Sequence, residues 1–108
     1  MTDHLSVRVR HHDSARSVLY LDGELDLASV SRLSSAVDAA VAGPGRHITL
    51  DALGVTFCDA AGLRGLLVAQ RRLTEVGRTM DVAHIHGVLG RMLDLTDLRQ
   101  AFQIATPV

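Results

Sequence analysis

Leu5, Val7 and Val9 alternate with Ser6, Arg8 and Arg10, the period-two pattern of a strand with one buried face. His11-His12-Asp13-Ser14 reads as a turn, and a second extended run at Val18-Leu19-Tyr20-Leu21 makes the opening a hairpin. Asp22-Gly23-Glu24-Leu25-Asp26 interrupts that run, and beyond it Val30, Leu33, Val37, Ala40 and Val41 recur at helical spacing. Asp26 or Ser29 is placed to cap this helix. Gly43-Pro44-Gly45 is expected to end it, because glycine tolerates left-handed dihedrals and proline cannot continue the hydrogen-bond ladder.

A strand is predicted at Ile48-Thr49-Leu50, followed by an extended link from Asp51 to Cys58 in which Leu53, Val55 and Phe57 meet the core at every second residue. From Asp59 the period lengthens again. Leu63, Leu66, Leu67, Leu73 and Val76 form one stripe of a helix, with Arg64, Arg71, Arg72 and Glu75 on its polar side and Gly77 at its end. Met80 to Ile85 reads as a strand, Val88, Leu89, Met92 and Leu93 as a further helix, and Phe102, Ile104 and Ala105 as a last short strand. Strands alternating with helices over short connections predict an α/β domain, with a mixed sheet of four to five strands, an opening antiparallel hairpin and helices packed against it. A length of 108 residues is that of one domain spanning the chain, its core over about residues 5–105, and 47% hydrophobic residues suffice for such a core.

Composition narrows the function classes. All eleven basic residues are arginine, yet twelve acids leave a net charge of −1, without the positive excess that phosphate backbones demand, and 3% aromatic residues supply few stacking platforms. Nucleic acid is therefore not expected as a partner. One cysteine allows no internal disulfide, no apolar run is long enough to span a bilayer, and Met1-Thr2-Asp3-His4 lacks a secretory pattern, so a reduced, cytoplasmic setting is expected without direct membrane insertion. Neither a Gly-rich phosphate loop with a following lysine nor a Gly-x-Ser-x-Gly elbow is present. No catalytic residue, metal or cofactor is expected.

Three places carry possible chemistry. Asp59-Ala60-Ala61-Gly62 lies where an extended segment enters a helix, so Asp59 is placed to accept from the backbone N–H of Ala61 or Gly62 as an N-cap. The exposed amides and the helix dipole there also favour an anion, including a phosphate borne by a first-turn side chain. Cys58 at the same helix mouth reads as a core thiol, because Asp59 opposes a thiolate and no paired histidine is visible. Asp22, Glu24 and Asp26 cluster in a turn that more simply caps the next helix than binds a cation, and His84 and His86, two apart on a strand, fall short of the three or four converging ligands zinc requires.

Gly23-Glu24-Leu25-Asp26, the run Ile48-Thr49-Leu50-Asp51-Ala52-Leu53-Gly54-Val55-Thr56-Phe57-Cys58-Asp59-Ala60-Ala61-Gly62-Leu63, and Leu89-Gly90-Arg91-Met92-Leu93-Asp94-Leu95-Thr96 occur in that order. Together they resemble the STAS domain, in its small anti-sigma factor antagonist branch, over about Val7 to Ile104. The resemblance implies a non-enzymatic partner switch. The unphosphorylated antagonist binds an anti-sigma factor, usually a serine-protein kinase of the histidine-kinase-like ATPase fold, and so frees a sigma factor; phosphorylation reverses this. The family's acceptor hydroxyl precedes the glycine of an Asp-Ser-Ser-Gly-like motif and falls on Ala61, which has none. A constitutive antagonist, a divergent paralogue and an engineered substitution all fit that alanine. Docking is expected from the resemblance at Asp59, Ala60, Ala61 and Gly62, at Arg64, and at Asp22, Glu24 and Asp26. Arg64 is the expected charged anchor, its other reading being an ordinary solvated arginine. Other classes compatible with the resemblance are a cytoplasmic accessory subunit of a transporter and a small-molecule sensor.

Overall fold

A computed structural model describes residues 4–13 and 15–102. The opening hairpin forms as the alternation predicts: β1 (Leu5–His11) lies antiparallel to β2 (Arg16–Leu25). Helix α1 (Val30–Ala42) carries the chain to β3 (His47–Cys58), which pairs parallel to β2, and α2 (Ala60–Glu75) carries it to β4 (Thr79–Ala83), parallel to β3. Helix α3 (Gly87–Leu95) and a 3₁₀ turn (Arg99–Ala101) follow. The described residues form one four-stranded sheet in the order β1-β2-β3-β4. Ile48, Thr49 and Leu50 are buried in succession, so this stretch of β3 is covered on both faces.

Four expectations change. Asp22 to Asp26 does not break β2, which continues to Leu25 because Gly23 adopts φ +117°, where a Cβ would lie 2.1 Å from the His4 carbonyl oxygen. The Asp51–Cys58 link is the second half of β3. Its buried residues are Ala52, Val55 and Cys58, while Leu53 and Phe57 face solvent. The pairing steps from Tyr20↔Asp51 to Asp22↔Gly54 and from Gly23↔Val55 to Glu24↔Phe57, giving β3 an extra residue at each step. Each such bulge turns the following side chains to the other face. Strand β4 stops at Ala83, short of Ile85, where His84 enters the left-handed region at φ 59°. The expected last strand is not formed at Phe102, which is a buried residue ending the 3₁₀ turn; Ile104 and Ala105 lie outside the described residues.

The end of α1 is held by a residue distant in sequence. Gly43 has φ −86°, outside the left-handed region. Arg78 instead donates from Nη2 to the carbonyls of Val41 (2.9 Å) and Gly43 (3.3 Å), and from Nη1 to those of Ala40 (3.3 Å) and Gly45. A cation here supplies donors to the carbonyls at the helix end, of which that of Ala40 also accepts from Gly43 N–H, and faces the negative end of the helix dipole. Replacing it by an apolar chain of similar length, Arg78→Met, should cost about 2–3 kcal/mol and lower the thermal midpoint by roughly 10 °C or more. Circular dichroism melting checks this, and an unchanged midpoint would remove Arg78 from the account of how α1 ends.

Candidate functional site

Strands β2 and β3 run parallel, and their last residues, Leu25 and Cys58, are register partners. The turns that leave them therefore emerge side by side at the carboxyl ends of the strands, where open α/β sheets place their working surfaces. Each turn is closed by an aspartate. The Asp59 carboxylate accepts from Gly62 N–H at 2.8 Å, the cap expected from the sequence. Asp26 accepts from Ser29 N–H at 3.0 Å; Ser29 itself makes no side-chain cap and instead donates from Oγ to the Glu24 carbonyl at 2.7 Å.

The two turns are also tied directly. Asp59 N–H donates to the Leu25 carbonyl at 3.2 Å. Gly62 packs so closely on the same residue that a Cβ would lie 2.0 Å from the Leu25 carbonyl oxygen and 2.6 Å from its carbon. Only glycine lets the first turn of α2 sit this near the end of β2.

Of the residues singled out in the sequence, Glu24, Asp26, Asp59, Ala60, Ala61, Gly62 and Arg64 occupy this end of the domain. Asp22 is set back along β2, exposed, beside Gly54 and three residues (about 10 Å) short of the strand end. The three-acid cluster is thus divided: Glu24 pairs with His4 at 3.1 Å, and His4, Glu24 and Asp26 bring donor atoms within 4.8 Å of one another, without Asp22. His84 and His86 do not converge. His84 Nδ1 lies 3.1 Å from the Asp51 carboxylate, whereas His86 Nε2 donates to the Leu53 carbonyl at 2.7 Å. Cys58 is buried; burial, and then the Asp59 carboxylate beside it, push its thiol up to about 11, so it stays protonated and poorly nucleophilic near neutral pH.

Between α1 and α2 lies a groove of about 480 Å³, apolar for most of its lining, that begins at the paired turns. Leu27, Val30, Ala61, Arg64, Gly65 and Val68 line it. Leu27 is 75% exposed and Val68 44% exposed. Gly65 admits Val30, whose Cγ2 would lie 2.2 Å from a Cβ there, and this sets the close approach of the two helices at the groove floor. Ala61, half-buried, and Arg64, exposed, are three apart on α2 and share its groove side. Arg64 makes no hydrogen bond or ion pair with the described residues. By contrast Arg72, also expected on the polar side of α2, crosses to α1 and contacts the Asp38 carboxylate and Ser34 Oγ. The sequence pattern does not disclose this groove: Leu27 stands off the helical stripe, and Val68 belongs to neither the apolar nor the polar side read for α2.

A family model described as Mlab, STAS domain matches residues 8–105. An anti-sigma factor antagonist from Mycobacterium paratuberculosis shares 25% identity, with 100% of this chain and 91% of that one covered at a TM-score of 0.83. The Bacillus cell fate determinant SpoIIAA in its phosphorylated form shares 20% identity over 94% of this chain and 92% of that one, with a TM-score of 0.69. The murine Slc26a9 anion transporter shares 15% identity over 87% of this chain but only 18% of its own, with a TM-score of 0.68. No curated protein sequence matches.

Proposed function

The chain belongs to the STAS domain family, and from that premise we propose that it is an anti-sigma factor antagonist of the constitutive kind. It binds an anti-sigma factor, a serine-protein kinase of the histidine-kinase-like ATPase fold, through the paired turns and the start of α2, and in doing so releases a sigma factor in the cytoplasm. The chain itself performs no chemistry; any nucleotide turnover is the partner's. Carrying this reading is the position of Ala61: half-buried in the first turn of α2, at the mouth of an apolar groove, with an unpaired arginine three residues on. That turn would accommodate a phosphorylated side chain, and alanine offers no hydroxyl to carry one, so the kinase that it binds does not switch it off.

Affinity capture from the native cell lysate with ATP present, followed by mass spectrometry, tests the proposal. The expected result is an anti-sigma factor with an ATPase-type kinase domain, retained irrespective of ATP. Capture of transporter subunits instead would replace this reading with that of an accessory subunit, which the likeness to the Slc26a9 transporter would then explain.

A further inference from the structure

The groove between α1 and α2 has a shape and a charge that specify what fills it. From Ala61 to Arg72 it follows eleven residues of α2, about 16 Å or three helical turns. Its floor on that side is Ala61 and Ala69, small residues flanking Gly65, whose own space Val30 fills, and they are faced across the groove by Ser31, Ser34 and Ser35 of α1. Side chains this short let a partner backbone come near, while the exposed Leu27 at the turn and the exposed Val68 farther along α2 supply apolar contact.

Both walls are helices, whose backbone donors and acceptors are already satisfied along their length. An extended segment laid here would leave its own amides unpaired, whereas a helix brings its hydrogen bonds with it and presents a side chain at each turn. Charge selects further. Arg72 is committed to Asp38, and the Asp26 and Asp59 carboxylates to backbone amides, which leaves Arg64, between Ala61 and Val68, as the charge on the groove wall without a partner among the described residues.

We propose that this groove receives an amphipathic helix of the partner protein, carrying apolar residues three and four apart and a carboxylate that pairs with Arg64. The inference rests on the reading above that this end of the domain is the docking face, and it names what docks there.

Photocrosslinking in the native cell tests it on the full chain, with p-benzoylphenylalanine replacing Val68 in one variant and Leu27 in another, and with the exposed Arg91 of α3 as the control position. Expected are protein adducts at Val68 and Leu27 but not at the control, whose crosslinked peptide reads as a helix with apolar anchors at i, i+3 or i+4 and i+7 and an Asp or Glu among them. Adding Arg64→Glu should lower adduct yield at least about tenfold, and changing the partner's acid to arginine should restore it. Adducts with lipid, with a second copy of this chain, or with an acid-free or extended segment would overturn the proposal, as would no adduct at either groove position. The two readings fail separately. An anti-sigma factor crosslinked outside the groove sinks this inference alone, while an acidic amphipathic helix from a protein without a kinase domain sinks only the proposed function.

Discussion

Replacing Gly62 by alanine should lower the thermal midpoint by roughly 12–20 °C, a loss of about 3 kcal/mol, although the substitution puts a better helix former into α2. In open space the exchange would stabilise by up to about 1 kcal/mol. At this position the new methyl would lie 2.0 Å from the Leu25 carbonyl oxygen, and that atom is backbone in a parallel strand pair, which cannot rotate aside as a side chain can. Either β2 or the first turn of α2 must move, and both build the proposed docking face. Gly90, in α3, is the control within the same molecule: a Cβ there would be 3.5 Å from Ile85 Cγ2, an ordinary contact, so Gly90→Ala should leave the midpoint unchanged or raise it by a few degrees. Melting curves for the two variants should therefore move in opposite directions, and a Gly62→Ala midpoint at or above that of the unmodified chain would show that the turns are not locked together at Leu25.

The contrast between those glycines marks the boundary of what the sequence discloses. Local rules suffice where a residue acts on its own neighbours. Asp59 caps the helix it precedes, Gly77 ends α2 at φ 77°, and the alternation that opens at Leu5 and Val7 marks β1, although Val9 at its far end is exposed. They fail where the partner is remote. Nothing near Arg78 indicates that its guanidinium will close a helix ending some thirty-five residues earlier. The two extra residues of β3 likewise become visible only against the register of β2, so a chain read alone puts Leu53 and Phe57 inside when both are outside.

Candidate chemistry divides along the same line. The motif around Asp59 to Gly62 announces its turn, and the resemblance it carries implies where docking is expected. The groove beside it has no linear signature, since Leu27 and Val30 come from the entry to α1 and Ala61, Gly65 and Val68 from the first half of α2. Asp22 shows the converse error. Spacing alone groups it with Glu24 and Asp26, whereas the bulge between Gly23 and Glu24 and the entry of His4 produce a different trio.

Restoring a hydroxyl at position 61 is expected to convert a locked partner into a switched one. Under the proposed function, the Ala61→Ser variant should bind the captured anti-sigma kinase as tightly as the unmodified chain does, then be phosphorylated in the presence of ATP and released. Its affinity after phosphorylation should fall by at least about a hundredfold. A phosphate adds about −1.5 to −2 charge, and here it would enter the mouth of an apolar groove. It would also compete for Arg64, three residues along the same helix, and so withdraw the cation left to a partner's carboxylate. The domain should not pay in stability. A dianion in the first turn of α2 meets the positive end of the helix dipole, a contact worth about 0.3–1 kcal/mol in the favourable direction. Loss of binding with an unchanged or raised melting temperature is thus the signature of a switch at the surface, as distinct from damage to the fold. Mass spectrometry for the phosphate, calorimetry for the affinity and melting for the stability read the three effects independently. If the unmodified chain were phosphorylated on another hydroxyl and released, or if the phosphorylated variant stayed bound, Ala61 would not be the position at which the proposed antagonist is locked.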